Sequence, residues 1–105
     1  MSYRVEISAE TRDDLRRLHL FLLERELLRE DGDLDLPDLA VGAIEGALLT
    51  LRRHPYTCRK MSDSPFWREL VISFGRTGYV AQFEIASDDL VIVAAIRHQR
   101  EDDYH

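Results

Sequence analysis

A dense group of ionisable side chains follows the last apolar run of the chain. Five of the six residues from Arg97 to Asp102 can carry a charge, and they include His98, Arg100 and Glu101. Such a group contributes little to a hydrophobic core, so we take this segment as the first candidate for function. The group could bind a partner molecule. Its arginines could equally pair with Glu101 or with a carboxylate on a neighbouring strand, and so order the end of the chain.

The element that must support this segment is the apolar run Leu90–Ile96. Seven consecutive apolar residues rich in Val and Ile, preceded by the polar pair Asp88–Asp89, predict a β-strand rather than two turns of buried helix. An uninterrupted apolar run is typical of a strand that is covered on both faces. We therefore expect a strand in the middle of a sheet, with the charged segment leaving its carboxyl end from a stiff support.

The composition excludes several classes of protein. The 105 residues are 45% apolar, which is enough for one domain, 1–105, with a single core. The only cysteine, Cys58, excludes an internal disulfide, and the four histidines show no metal-ligand spacing, so we expect neither a metal nor a cofactor. No apolar segment resembles a signal peptide or reaches the roughly 20 residues needed to span a bilayer. We therefore expect a cytoplasmic protein.

The charge distribution argues against general binding of nucleic acid. The net charge is −6, and phosphate binding depends on many cations, so we expect no direct, sequence-specific DNA binding by this chain alone. Residues 52–76 are the exception, with six basic residues against two acidic ones. A basic patch could assemble there, and ordinary surface ion pairs explain the same residues equally well.

The remaining hydrophobic patterns predict the other elements and the fold class. We expect an α+β fold of two layers, in which an antiparallel helical hairpin packs on a four-stranded sheet that ends in a three-strand antiparallel meander. In chain order the predicted elements are a strand at Tyr3–Ile7, an amphipathic helix from the N-cap Ser8 to about Arg29, a helix from Pro37 to about His54, and strands at 67–74, 79–85 and 90–96.

Two glycines, Gly42 and Gly46, lie one turn apart in the second predicted helix. Each costs roughly 1 kcal/mol of helix propensity relative to alanine, so the close approach of another backbone would be a natural compensation. That backbone belongs either to the first helix or to a partner, and we expect packing within the chain.

Several segments resemble the ParE branch of the RelE/ParE toxins, the toxic halves of bacterial type II toxin–antitoxin pairs. The resemblance extends over essentially the whole chain, including the order of the elements, and it implies the same α+β fold. It is carried by Arg68–Ile72, Phe74–Gly75, Gly78–Val80, and Ala95–Glu101 ahead of Tyr104.

The resemblance implies one of two activities. ParE-like members bind and poison DNA gyrase, which asks for a recognition surface, whereas RelE-like members cut messenger RNA in the ribosome, which asks for acid–base groups and cations. RelE-like proteins typically carry an arginine after the aromatic residue that opens the penultimate strand. Here Val80 follows Tyr79, and we expect Tyr79 itself in the core. We therefore predict a gyrase inhibitor without enzymatic activity. The alternatives are an endonuclease using His98 and Tyr104, or a member that only binds its antitoxin.

The residues that we predict to contact the target are Arg68, Arg76, Arg97, His98, Arg100, Glu101 and Tyr104. The resemblance also implies a neutralising partner, a ParD-like antitoxin of the ribbon-helix-helix type that forms a hetero-oligomer with the toxin. Such a segment folds on contact, either as an apolar helix in a groove or as a strand added to a sheet edge. The hairpin has more apolar positions than one buried face needs. The residues predicted to bind the antitoxin are Leu20, Leu23, Leu27, Leu39, Gly42 and Gly46.

Overall fold

Residues 2–99 are described by a computed structural model of the chain, and in it two helices pack on one face of a sheet. The strand order is β1-β5-β4-β3-β2, with β1 parallel to β5 and every other pair antiparallel. The predicted α+β class, with a helical hairpin on a sheet, is confirmed. The elements are β1 (Arg4–Ile7), α1 (Ala9–Leu27), α2 (Leu36–Leu49), two 3₁₀ turns (Thr50–Arg52 and Pro55–Thr57), β2 (Arg59–Met61), β3 (Ser64–Phe74), β4 (Thr77–Ser87) and β5 (Leu90–His98).

The sheet has five strands in place of the predicted four. The additional strand is β2, which pairs with β3 at the edge of the sheet, so the antiparallel meander runs from β2 to β5. Its sequence, Arg-Lys-Met, has no alternation of apolar and polar residues that would indicate a strand. A short and charged edge strand also discourages pairing with other chains.

The last strand, β5, lies inside the sheet as predicted, between β1 and β4. The prediction that it is covered on both faces is wrong. Val91 and Val93 are fully buried, whereas Ile92 between them is only partly buried. The buried valines join a core that includes Ile44 and Leu48 of α2, so the helices cover the face that these valines occupy.

A β-bulge at Ala94 explains how Ile96 comes to lie on the same face as Val91 and Val93. Val93 pairs with Phe83 and Ala95 pairs with Gln82, which leaves Ala94 without a partner on β4. One extra residue shifts the alternation of side chains by one position. As a result Ile96 returns to the core face, where it is 6% exposed.

The connection between the two helices is organised by a buried carboxylate, that of Glu26, which is 3% exposed. It accepts a hydrogen bond from the backbone N–H of Asp33 at 3.1 Å and one from the guanidinium of Arg25 at 3.1 Å. The bond from Asp33 is the main reason that the pKa of Glu26 lies below its ordinary value. Gly32 packs closely against the same turn. A Cβ at this position would lie 1.8 Å from the carbonyl oxygen of Glu26.

Candidate functional site

The carboxyl end of β5 and the turn between β3 and β4 lie at the same end of the sheet. His98 pairs with Tyr79 in the register of β4 with β5, and its Nε2 lies 3.2 Å from Oγ1 of Thr77. Arg76 occupies the turn immediately before Thr77, and Arg97 immediately precedes His98. Three of the residues predicted to contact the target, Arg76, Arg97 and His98, are therefore brought to one end of the sheet.

The imidazole of His98 is supported by an aromatic side chain. It meets the ring of Tyr79 edge-on, with 5.6 Å between the ring centroids and 90° between the ring planes. Tyr79 is 3% exposed, which confirms its predicted place in the core, and this burial raises the pKa of its hydroxyl group. Tyr79 therefore fixes the position of His98 and is poorly suited to act as a proton acceptor.

An open groove of about 680 Å³ is lined by α1 on one side and by the last residues of β5 on the other. Apolar side chains line it from α1, among them Leu18 and Phe21, of which Phe21 is 61% exposed. Three arginines are among the residues that line this groove, Arg17, Arg25 and Arg97. The lining of the groove thus includes three arginines and one aspartate, Asp14.

The three arginines of this groove differ in their partners. Arg17 is paired with the carboxylate of Asp14, and Arg25 with that of Glu26 at 3.1 Å. Arg97 is exposed, and no carboxylate within residues 2–99 forms an ion pair with it. Among these three arginines, Arg97 is consequently the one most available to an external carboxylate or phosphate.

The end of β5 is attached to α1 as well as to β4. β1 ends at Ile7, which pairs with Val93, so the part of β5 that follows lies beyond the end of β1. Side chains from the N-cap Ser8 and from the first two turns of α1 bond to this part of β5 instead. Ser8 Oγ donates to the carbonyl of Ala94 at 3.2 Å, Thr11 Oγ1 donates to the carbonyl of Val93 at 2.8 Å, and the backbone N–H of Ile96 donates to Oδ2 of Asp14 at 3.0 Å.

The sheet face turned away from the helices has a row of three side chains at this end. The strand registers place Val71, Val80 and Arg97 side by side across β3, β4 and β5. The next row begins with Glu69, whose carboxylate pairs with Arg59 at 3.1 Å. Valine can neither transfer a proton nor stabilise a phosphate, so this row supplies one guanidinium and no acid–base pair.

The structure does not bring Arg68, another residue predicted to contact the target, together with these residues. Arg68 is only 8% exposed, and its row on the sheet, opposite Phe83, lies four residues, or about 13 Å, from the row of Tyr79. Its guanidinium donates hydrogen bonds to the backbone carbonyls of Tyr56, Cys58 and Pro65 at 2.8–3.0 Å. These bonds give Arg68 a structural role.

The residues predicted to bind an antitoxin lie mostly on the surface. Leu20, Leu27 and Leu39 are each more than half exposed, and Leu23 is partly buried. The expectation that Gly42 and Gly46 pack closely within the chain is wrong. Both are exposed, and a Cβ built at either position meets nothing within 4 Å.

Three predicted target residues, Arg100, Glu101 and Tyr104, lie outside the described residues. Sequence reasoning missed the contribution of α1 to the site, which comes from Thr11, Asp14, Arg17, Phe21 and Arg25. The signal was present, because spacings of three and four residues place these side chains on one side of a helix. The charge pattern of the helix alone gave no reason to assign that side to β5.

No group of three or more potential metal ligands is found within residues 2–99. Over the same part of the chain, neither helix has the length and apolar character needed to cross a bilayer.

Comparisons with known proteins identify a toxin family from the sequence and a shared fold from the structure. A family model described as the ParE toxin of the type II toxin–antitoxin system parDE matches residues 5–103. The chain is 35% identical over 97 residues to Toxin RelE3 of Caulobacter vibrioides, a match that covers 92% of this chain and 95% of that protein. In fold it is similar to a solved structure from P. aeruginosa described as a chromosomal ParDE TA system. The TM-score is 0.68, the identity is 14%, and the match covers 92% of this chain and 96% of that chain.

Proposed function

The chain belongs to the ParE toxin family of type II toxin–antitoxin systems, and we propose that it acts by binding and poisoning DNA gyrase. The surface that we assign to gyrase is the end of β5 with the adjoining turn, and its described residues are Arg76, Arg97 and His98. Arg100, Glu101 and Tyr104 continue the same segment in sequence and belong to the proposal. Arg68 does not, because it is buried.

One observation carries the choice of gyrase over RNA cleavage. Cleavage of RNA needs a base for the 2′-hydroxyl, an acid for the leaving oxygen and cations beside the phosphate. The row Val71–Val80–Arg97 offers a single guanidinium where a RelE-like site would carry more than one functional group. A surface that only recognises a protein needs no such groups, and a fixed set of charged and aromatic side chains is sufficient for it.

The experiment is a supercoiling assay with purified toxin and purified gyrase. We expect supercoiling to be inhibited and cleaved DNA to accumulate in a toxin-dependent manner. Toxin mixed with its antitoxin before the assay is the matched control, and it should leave gyrase active. Unimpaired supercoiling at a toxin concentration that arrests growth would contradict the proposal.

A second candidate, ribosome-dependent cleavage of messenger RNA, is favoured by two observations. His98 lies at the proposed site, next to Arg97, and the relative that is 35% identical carries the name Toxin RelE3. Loss of specific transcripts from ribosomes, with supercoiling unaffected, would identify this activity. Tyr104 would then be the companion of His98 in proton transfer.

We further propose that a ParD-like antitoxin of the ribbon-helix-helix type covers the exposed apolar residues of the helical hairpin. Leu20, Leu27 and Leu39 expose apolar surface, and Gly42 and Gly46 leave room beside α2 for another backbone. A segment that folds on contact can bury such a surface. Replacing Leu20 and Leu27 by serine should weaken antitoxin binding, as measured by titration calorimetry, while leaving growth arrest intact. Unchanged affinity would place the antitoxin elsewhere.

A further inference from the structure

The end of β5 carries the proposed target residues, yet β1 does not extend beside it. Beyond Val93, the side of β5 that faces away from β4 is no longer paired with β1. A strand with one unpaired side loses half of its backbone support, and a bulge at Ala94 weakens the ladder on the other side as well. The residues that follow would be poorly fixed without additional bonds.

Side chains of α1 supply these bonds, and one of them acts immediately before the target residues. The N–H of Ile96 donates to Oδ2 of Asp14 at 3.0 Å, and Ile96 is directly followed by Arg97. The side chain of Asp14 is only 15% exposed, and its other oxygen, Oδ1, pairs with Arg17. Both oxygens of the carboxylate are therefore engaged, and the bond to Ile96 is partly shielded from water.

We infer that Asp14 is a positioning residue for the target-binding end of β5. Its carboxylate fixes the backbone at Ile96, and the fixed backbone presents Arg97 and His98 in one arrangement. Thr11 and Ser8 hold the preceding residues by their bonds to Val93 and Ala94. The inference rests on the proposed function, because it assigns the fixed backbone to target binding rather than to stability alone.

The test compares four proteins: wild type, Asp14→Ala, Asp14→Asn and Asp13→Ala. Asparagine keeps an oxygen that can accept the bond from Ile96 but loses the charge that pairs with Arg17. Asp13→Ala is the matched control. It removes the same charge from the same helical turn, and the side chain of Asp13 is 64% exposed. The readouts are growth arrest on induction, gyrase inhibition, antitoxin affinity, thermal unfolding, and the hydrogen-exchange rate of the Ile96 amide.

We expect Asp14→Ala to accelerate exchange at Ile96 and to weaken gyrase inhibition by roughly tenfold or more, the factor that one hydrogen bond to a charged acceptor represents. Antitoxin affinity should stay unchanged, which also shows that the variant is folded. Asp14→Asn should restore slow exchange and inhibition, and Asp13→Ala should behave as the wild type.

Two results would overturn the inference. In the first, the Ile96 amide of Asp14→Ala exchanges rapidly, but this variant inhibits gyrase as well as the wild type. In the second, the Ile96 amide of Asp14→Asn stays protected, but this variant inhibits as poorly as Asp14→Ala. If the wild-type protein does not inhibit gyrase, the proposed function fails, and growth arrest by the same four proteins then decides the inference. A wild-type protein that arrests no growth would reject both.

Discussion

The guanidinium of Arg68 lies over the ring of Tyr56, with its central carbon 5.1 Å from the ring centroid, and is directed into the fold. From there it bonds to the backbone of the segment that leads into β2 and to the start of β3. A single side chain thus fastens the edge of the sheet to the turn at Pro55–Thr57. Lysine carries its donors on a single nitrogen and lacks the planar fork that places Nε and Nη1 against different carbonyls.

Replacing Arg68 by alanine should therefore destabilise the protein and leave its target binding intact. Three backbone carbonyls lose their charged donor, and we expect the free energy of unfolding to fall by about 3 kcal/mol. Urea denaturation measures this change. Gyrase inhibition, normalised to the folded fraction, should stay at the wild-type level.

Arg76→Ala is the matched change at an arginine of the same sequence window, and it should have the opposite profile. Arg76 is exposed in the β3–β4 turn, so stability should change by no more than about 0.5 kcal/mol. Inhibition should weaken, because the guanidinium lies at the proposed contact surface. A loss of inhibition with Arg68→Ala but not with Arg76→Ala would reverse the assignment of the two residues.

His98→Gln distinguishes recognition from catalysis. Glutamine keeps a hydrogen-bonding side chain but cannot act as a general acid or base. If His98 only contacts the target, the variant toxin should therefore lose at most about tenfold in potency. A general acid or base contributes about 100-fold or more, and its loss would be correspondingly severe. We expect the smaller effect in a growth-arrest titration. His98→Phe, which preserves the ring contact with Tyr79, separates lost packing from lost hydrogen bonding.

Gly42→Ala and Gly46→Ala should stabilise the free toxin and weaken its complex with the antitoxin. Alanine favours the helix by up to about 1 kcal/mol at each position, and neither Cβ meets an obstacle. An antitoxin backbone packed on this face would be displaced by the added methyl groups. Thermal unfolding and titration calorimetry measure the two effects.

Gly32→Ala is the contrasting control for the two helical glycines. The added Cβ would collide with the carbonyl of Glu26, so we expect a loss of about 2 kcal/mol or more in the free energy of unfolding. Tighter antitoxin binding by Gly42→Ala or Gly46→Ala would argue against a backbone contact on α2.

The buried carboxylate of Glu26 makes a definite contribution to the pH dependence of stability. Its pKa in the folded protein lies below the ordinary value of 4.5, so the carboxylate stabilises the fold above that pH. This contribution is lost as the pH falls through the lowered pKa. We expect Glu26→Gln to be less stable than the wild type at neutral pH, and the gap to close in acid. Urea titrations at several pH values measure the difference in free energy of unfolding between the two proteins. A difference that does not change with pH would contradict its assignment to the lowered pKa of Glu26.

The fold was largely predictable because its strands and helices carry distinct hydrophobic periods. Ser8 is the N-cap, as predicted, and its Oγ accepts from the N–H of Thr11 at 3.1 Å. β2 was not predictable, because its three residues, two of them charged, gain strand structure only from the neighbouring β3. The bulge at Ala94 was hidden as well, because a uniform run of apolar residues shows no break in alternation when one residue is added.

The site was less predictable than the fold, since its geometry depends on contacts across long stretches of sequence. The end of β5 was identified from its charge, but its attachment to Asp14 joins residues 82 positions apart. Arg68 illustrates the opposite problem. An arginine in a strand is ordinarily a surface residue, and only the carbonyls gathered around it by the turn at Pro55–Thr57 make a buried position favourable.

The parallel pairing of β1 with β5 makes folding of the sheet depend on contacts between residues far apart in sequence. Val5 pairs with Val91, so β1 cannot join the sheet before β5, which inserts between β1 and β4. Pairing between strands so far apart in sequence has a high cost in loop-closure entropy, and it makes the closing of the sheet a late step in folding.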